Sequence, residues 1–291
     1  MKDYALIATA YNNQVRIYAA SSTHLVQKAH EIHQTWPTAS AALGRFLTTS
    51  ALMSLMYKEN EYLTIKIDGD GPLKYLLAEA SNGIVRGDIG NPEVYLKYHS
   101  GPKKGKLNVG MAVGNGLLTV TKDAHMKHSF TSSTPLVTGE IGDDFTYYFT
   151  TSEQTPSAVG VGVLVNPDNS INVSGGFILQ LLPGASEETI VSIENALKTM
   201  PSVTDLMVQQ KGPKEMIDIL SSNTAKFLDQ RDIKYECHCS KERFKTSLMT
   251  LDKASLEQML LEDKQIEIIC HFCHSKYVFD EEELKVLIAA K

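Results

Sequence analysis

Cysteine is almost absent from this chain. Only four occur among 291 residues, and none lies in the first 236 positions. A secreted, disulfide-stapled scaffold would spread its cysteines more widely, so that class is not expected. Long apolar runs are missing too: nothing approaches the ~18 residues that a membrane-spanning helix requires. The opening residues Met1-Lys2-Asp3-Tyr4 contain no uninterrupted apolar stretch of the secretory kind. A cytoplasmic protein with no membrane partner is the expectation. An excess of positive charge is also lacking, since 28 Lys and Arg stand against 34 Asp and Glu, a net charge of −6. That balance argues against a generic nucleic-acid footprint.

Catalytic motifs are equally scarce. Gly101-Pro102-Lys103-Lys104-Gly105-Lys106 has three residues between its glycines where a phosphate loop has four. Leu107 stands where the Mg²⁺-binding Ser or Thr belongs. Gly160-Val161-Gly162 lacks the third glycine of a dinucleotide fingerprint, because Val165 occupies its place. His125 and His128, three apart, are joined by no H-E-x-x-H motif, and no G-x-S-x-G elbow is found. The chain is expected not to be an enzyme.

The four cysteines form two tight pairs, Cys237-His238-Cys239 and Cys270-His271-Phe272-Cys273. Four thiols in two close pairs are the minimum for a tetrahedral zinc site, each pair forming one edge. The C-x-C spacing is shorter than the usual C-x₂₋₄-C of zinc ribbons, and its disulfide would be strained. Two readings stay open on spacing alone: a permanent structural zinc ribbon, or a centre whose zinc is lost when the thiolates oxidise. His238, His271 and His274 stand beside the thiols as substitute ligands, although four thiolates already complete zinc's shell. A thioredoxin-like C-x-x-C is disfavoured, because a turn and a short strand follow it instead of a βαβ crossover. Between Asp232 and Lys291, nine basic residues face twelve acidic ones, a net −3, so a nucleic-acid-binding ribbon would meet repulsion from phosphate. The basic cluster Lys241, Arg243 and Lys245 reads as an offset to the thiolates and nearby acids.

Periodicity organises the rest. Ala5 to Tyr11 and Gln14 to Ala20 read as a hairpin about Asn12-Asn13. Thr23 to Gln34 reads as a helix stopped by Trp36-Pro37, and Thr38 opens a second with a broad apolar face. A strand is predicted over Tyr62 to Ile67, then a hairpin of Leu73 to Ala80 with Ile84 to Gly87 around Asn82-Gly83. Further strands are predicted at Leu117–Thr121, Phe145–Thr150, Val159–Val165 and Ile171–Leu181. Helices are predicted over Ser186 to Met200 and Lys214 to Leu220, with Ile190, Ile193, Leu197, Met207, Met216, Ile217 and Leu220 supplying apolar faces. Helices so short must bury those faces on another element. The tail adds helices at Glu242–Met249 and Ala254–Leu261, a strand-turn-strand around Cys270–Phe279, and a helix opened by an Asp280-x-x-Glu283 capping box. The expected class is α+β: a mixed N-terminal core domain over 1–182, a helical linker over 183–231, and a small C-terminal zinc-binding domain over 232–291.

These segments resemble a known family, the redox-regulated chaperone called the thirty-three-kilodalton heat-shock protein or 33 kDa chaperonin. Cys237-His238-Cys239-Ser240-Lys241-Glu242-Arg243 is similar to its C-x-C-S segment. Cys270 to Phe279 is similar to its C-x-F-C-x-x-x-Y-x-F segment. Ser152 to Ser157, Gly175 to Ala185 and Leu43-Gly44-Arg45 resemble its core. The resemblance implies an ATP-independent holdase for unfolded or partly folded client proteins under oxidative stress. It implies one Zn²⁺ per chain held by Cys237, Cys239, Cys270 and Cys273 in the reduced, inactive form. It further implies that oxidation forms a disulfide within each pair, releases zinc, unfolds tail and linker, and leads to a homodimer on activation. A zinc-ribbon nucleic-acid or translation-associated protein is the alternative.

Overall fold

The computed structural model of the protein describes residues 2–123 and 129–291. They form two compact units, Met1–Glu236 and Cys237–Lys291. His125 and His128 lie outside the described residues.

The first unit opens with strands β1 (Tyr4–Ala10) and β2 (Val15–Ser21), joined by a loop in which Tyr11, Asn12 and Asn13 all take positive φ. Helix α1 (Thr23–His33) ends on Gln34 in the left-handed region, and α2 (Pro37–Ser54) starts with Pro37 in its first turn. Proline is accepted there because that N–H would have no helical partner. Three strands follow, β3 (Tyr62–Gly69), β4 (Tyr75–Ser81) and β5 (Ile84–Ile89), the last two turning on Asn82 (φ 47°) and Gly83 (φ 81°). Two consecutive positive φ values make the turn that matches the strand twist, which is why Asn-Gly marks this hairpin. After α3 (Val109–Val113) come β6 (Gly116–Asp123), β7 (Phe130–Pro135) and α4 (Gly142–Thr151). The remainder of the unit is β8 (Ser157–Val165), β9 (Ile171–Leu181), α5 (Glu187–Thr199), α6 (Val203–Val208), α7 (Pro213–Leu220), β10 (Lys226–Asp232) and β11 (Lys234–Tyr235).

Two sheets result, one ordered β10-β1-β2-β9-β8 and the other β11-β5-β4-β3-β6-β7. Helix α2 packs on β8 and β9 of the first sheet and on β4 and β5 of the second. All its residues but Pro37 and Arg45 are buried. Gly44 explains the close approach: a Cβ there would meet Val26 at 2.5 Å and Val163 at 2.9 Å. The other face of the first sheet presents Ala8, Val15, Ile17, Phe177 and Leu179. Side chains alternate along a strand, so these residues point away from α2. Onto them pack Ile193, Leu206, Met216, Ile217 and Leu220 from α5, α6 and α7. Those short helices thus bury their apolar faces on a sheet they could not do without.

Three local departures from the expectations have physical causes. Phe145–Thr150, predicted as a strand, lies in α4. The run is rich in aromatic and β-branched residues, but Phe145, Tyr148 and Phe149 fall at helical spacing and are fully buried. The buried Asp144 carboxylate accepts from the amides of Val137, Thr138, Gly139 and Ile141, at 2.8 to 3.2 Å, and so nucleates the helix. Helix α6 goes unpredicted because it is a single short turn-and-a-half, capped by Ser202. Within 183–231, β10 closes the segment as an edge strand on β1. Its mostly exposed, charged sequence KFLDQRD lacks the alternation that marks a strand.

The second unit contains α8 (Lys241–Leu248), α9 (Lys253–Asp263), the hairpin strands β12 (Ile266–Ile269) and β13 (Lys276–Phe279), and α10 (Glu281–Ala289). The capping box is present at α10: the Glu283 amide donates to Asp280 and the Asp280 amide to Glu283. Its buried apolar core is small, namely Leu248, Leu256, Phe279, Leu284 and Leu287. The protein is α+β, with a small C-terminal unit carrying the clustered cysteines.

Candidate metal centre

The first cysteine pair lies on the stretch just before α8, whose N-terminus is capped by Ser240 accepting from the Arg243 amide at 3.2 Å. The positive end of a helix dipole favours neighbouring thiolates. The second pair sits on the turn between β12 and β13. There the Cys270 N–H donates to Ser275 O at 3.0 Å and the His274 N–H donates to Cys270 O at 2.8 Å. His274 reaches φ 55° to close that turn.

The fold brings all four sulfurs within 4.8 Å of one another. Cys237 Sγ lies 3.7 Å from Cys270 Sγ, and Cys239 Sγ lies 3.3 Å from Cys273 Sγ. None of the four is in a disulfide, whose sulfurs would be about 2.05 Å apart. A tetrahedron with Zn–S bonds of about 2.3 Å has edges of about 3.8 Å, close to the observed spacing. The donor set therefore fits zinc, and the cluster could hold one metal ion. His238, His271 and His274 are exposed and are not members of the cluster.

Electrostatics differ among the thiols. Burial pushes Cys270 up to about 12, against amide hydrogen bonds from Cys273 and Phe272 that favour its thiolate. For Cys273 burial also raises the value. The Ser275 hydroxyl and amide, with Cys239 and Cys270, outweigh it and bring the thiol down to about 7. Burial raises Cys239 as well, while the Tyr277 hydroxyl works in the opposite direction. Of the basic cluster, Lys241 takes one of the two expected roles, the offset of a nearby acid. Lys241 forms an ion pair with Glu283 at 2.6 Å and lies over the Phe279 ring at 5.2 Å, so it answers an acid and not a thiolate.

Two further site residues escaped the reading of the sequence. Tyr277 lies 3.2 Å from Cys239 Sγ and its hydroxyl donates to Cys239 O at the same distance. The Ser275 hydroxyl stands 3.3 Å from Cys273 Sγ. Tyr277 is the tyrosine of the family-like C-x-F-C-x-x-x-Y-x-F segment, and Ser275 has position as its only signal; both follow the second pair closely enough for the hairpin to turn them back on it.

Comparison with known proteins agrees with this architecture. A family model described as Hsp33 protein matches residues 3–280. A 33 kDa chaperonin of Acholeplasma laidlawii (strain PG-8A) is 55% identical over 291 residues, with 100% of each chain covered. Another, from Shouchella clausii (strain KSM-K16), is 48% identical over 291 residues, covering 99% of this chain and 98% of its own. The solved structure of the 33 kDa chaperonin (Heat shock protein 33 homolog) from Thermotoga maritima superposes with a TM-score of 0.90 at 35% identity. It covers 99% of this chain and 98% of that one.

Proposed function

The chain belongs to the Hsp33 family of chaperones, and from that premise we propose that it is a redox-switched, ATP-independent holdase of the cytoplasm. Its partners are unfolded or partly folded client proteins. The observation that carries the reading is the four-thiol cluster set on a unit with only five buried core side chains.

Cys237, Cys239, Cys270 and Cys273 would hold one Zn²⁺ in the reduced protein. Bound there, zinc keeps the thiols deprotonated and supplies about 10–16 kcal/mol of apparent folding free energy, whereas a core this small supplies about 3–5 kcal/mol. The unit's fold then depends on its ligands. A thiolate attacks peroxide to give sulfenic acid and water, and the neighbouring thiol displaces the hydroxyl as a second water to form the disulfide. Over both pairs, two H₂O₂ and four protons accept four electrons from four thiolates, giving two disulfides and four waters. Bridged sulfurs would no longer offer the ligand set, and a unit with so small a core would unfold without that support.

The segment 183–231 is proposed to act as the linker that opens with it. Its helices cover the first sheet with Ile193, Met216 and Ile217. Their release would bare both that apolar face and the sheet beneath, a surface suited to exposed chains of other proteins. Dimerisation on activation belongs to the same proposal. No nucleotide is needed and no turnover is expected. The reading over a nucleic-acid-binding ribbon is supported by the family and by the acidic tail.

Peroxide treatment followed by peptide mapping tests the switch. Expected are Cys237–Cys239 and Cys270–Cys273 disulfides with one zinc released per chain. Mainly cross-pair bridges, such as Cys239–Cys273, would contradict the pairing, since all four sulfurs lie within 4.8 Å of one another and either arrangement is within reach in the folded unit.

A further inference from the structure

Strand β8 ends its sheet, with β9 on its inner side. Because the Leu181 N–H donates to Pro156 O at 2.9 Å, every second residue from Pro156 turns its backbone toward β9. Val159, Val161 and Val163 therefore turn theirs to the outer edge. The Val159 N–H meets Thr146 Oγ1 at 3.0 Å, so α4 closes the edge there. Beyond it, the amides of Val161 and Val163 meet no partner among the described residues. A cavity of about 960 Å³ opens along this stretch, between Trp36 and Tyr95 on one wall and the start of α6 on the other. Trp36 is 47% exposed and Tyr95 49%, so the folded chain leaves aromatic surface wet beside unpaired backbone.

Cations outnumber acids along the cleft. Lys97 and Lys106 line it and have no carboxylate partner among the described residues. Arg45 also lines it: Glu140 holds Nη1 at 2.6 Å, yet Nε is buried without a hydrogen bond. The one acid of the opposite wall, Asp205, accepts from the Ser202 hydroxyl at 2.6 Å. A second copy paired edge to edge would set one cationic cleft against another. An open edge beside an apolar cleft is a template for an added strand, and cations there select an acidic side chain.

We propose that the β8 edge binds an extended segment of a non-native polypeptide as an added strand, apolar side chains entering the cleft and an acidic one meeting Lys97 and Lys106. This deepens the holdase reading and rests on it for the nature of the partner. The site lies wholly within the first unit, and one of its walls, Ser202 to Asp205, belongs to the 183–231 segment.

The test uses the full chain, reduced and oxidised, and a short fluorescein-labelled peptide of alternating valine and threonine with a central glutamate, read by anisotropy. N-methylating the alternate amides that would pair with β8 should weaken binding about tenfold or more, as loss of two hydrogen bonds requires. Methylating the other set should change it little. Replacing Lys97→Glu and Lys106→Glu together, with folding checked by circular dichroism, should weaken the glutamate peptide and strengthen its lysine counterpart. A benzophenone in the peptide should cross-link to residues 161–166. Equal binding of both methylated forms overturns the proposal, as do cross-links confined to α5 and α7, which leave the holdase reading standing. Binding in the cleft by an oxidised protein that fails to suppress aggregation supports the site and sinks the switch. If the charge reversal alters only self-association and no peptide binds, the edge belongs to a second copy and the proposal fails.

Discussion

The Tyr277 hydroxyl lies 3.2 Å from both the sulfur and the carbonyl oxygen of Cys239, tying the first cysteine pair to the strand that follows the second. The contact joins two segments 38 residues apart in sequence. It is also what pushes the tyrosine itself up to about 12, foremost through the hydrogen bond to that thiol. Groups that orient metal ligands typically change affinity about 10–100-fold when removed. Tyr277→Phe, which keeps the ring on Phe244 at 5.1 Å, should weaken zinc by about tenfold while the fold is retained. Chelator competition measures it. An unchanged affinity would leave the tyrosine a packing residue only.

The ligand assignment has its own check. Cys270→Ser should abolish stoichiometric zinc, because three thiolates leave the tetrahedron open and a hydroxyl is a poor replacement. His238→Ala should leave zinc content near one per chain, since that ring is exposed and outside the cluster. Metal analysis of the purified reduced proteins decides between them. Full retention in Cys270→Ser would contradict the four-thiolate centre.

Much of this site was legible before the structure, and the reasons differ by residue. Cysteine is rare in the chain, so two close pairs stand out whatever fold surrounds them. Tyr277 and Ser275 are common residue types whose role depends on the β12–β13 turn; Tyr277 stands in the family-like segment, but its contact with Cys239 does not follow from that spacing. The same contrast holds in the fold. The apolar faces of α2, α5 and α7 follow the helical period and were readable, as were β8 and β9. At Phe145–Thr150 the local propensity pointed to a strand, and tertiary burial together with the Asp144 cap won. Strand β10 was illegible because an exposed edge strand needs no apolar alternation.

Glu140 gives the first unit an acid-sensitive joint. Burial raises its carboxyl, but the Tyr98 hydroxyl at 2.5 Å, Arg45 at 2.6 Å and Lys103 at 3.0 Å outweigh this and hold it below the ordinary value of 4.5. A depressed folded value contributes stability at pH above the unfolded value, and that contribution disappears as pH falls through the folded one. Glu140→Gln should therefore cost about 1–3 kcal/mol at neutral pH, with the difference from the parent shrinking below pH 4.5. Denaturant unfolding at several pH values reads this. A difference independent of pH would remove the charge from the explanation.

Met216 in α7 is fully buried against the first sheet. Truncation to alanine at such a site costs about 2–5 kcal/mol. If the 183–231 segment is the part that opens, Met216→Ala should give the reduced, zinc-loaded protein partial holdase activity without oxidant. Light scattering of a heat-unfolded client, beside zinc content, checks it. Lost stability with no gained activity would place the opening elsewhere.

The most direct measurement is suppression of aggregation of a heat-unfolded client by the reduced zinc-bound protein and by the peroxide-oxidised protein, at near-stoichiometric ratio and without nucleotide. The expected result is near-complete suppression by the oxidised form and little by the reduced form, with hydrogen exchange showing protection lost first beyond about residue 183 and β1 to β9 still protected. Equal suppression by both forms would contradict the switch and leave the metal a purely structural element.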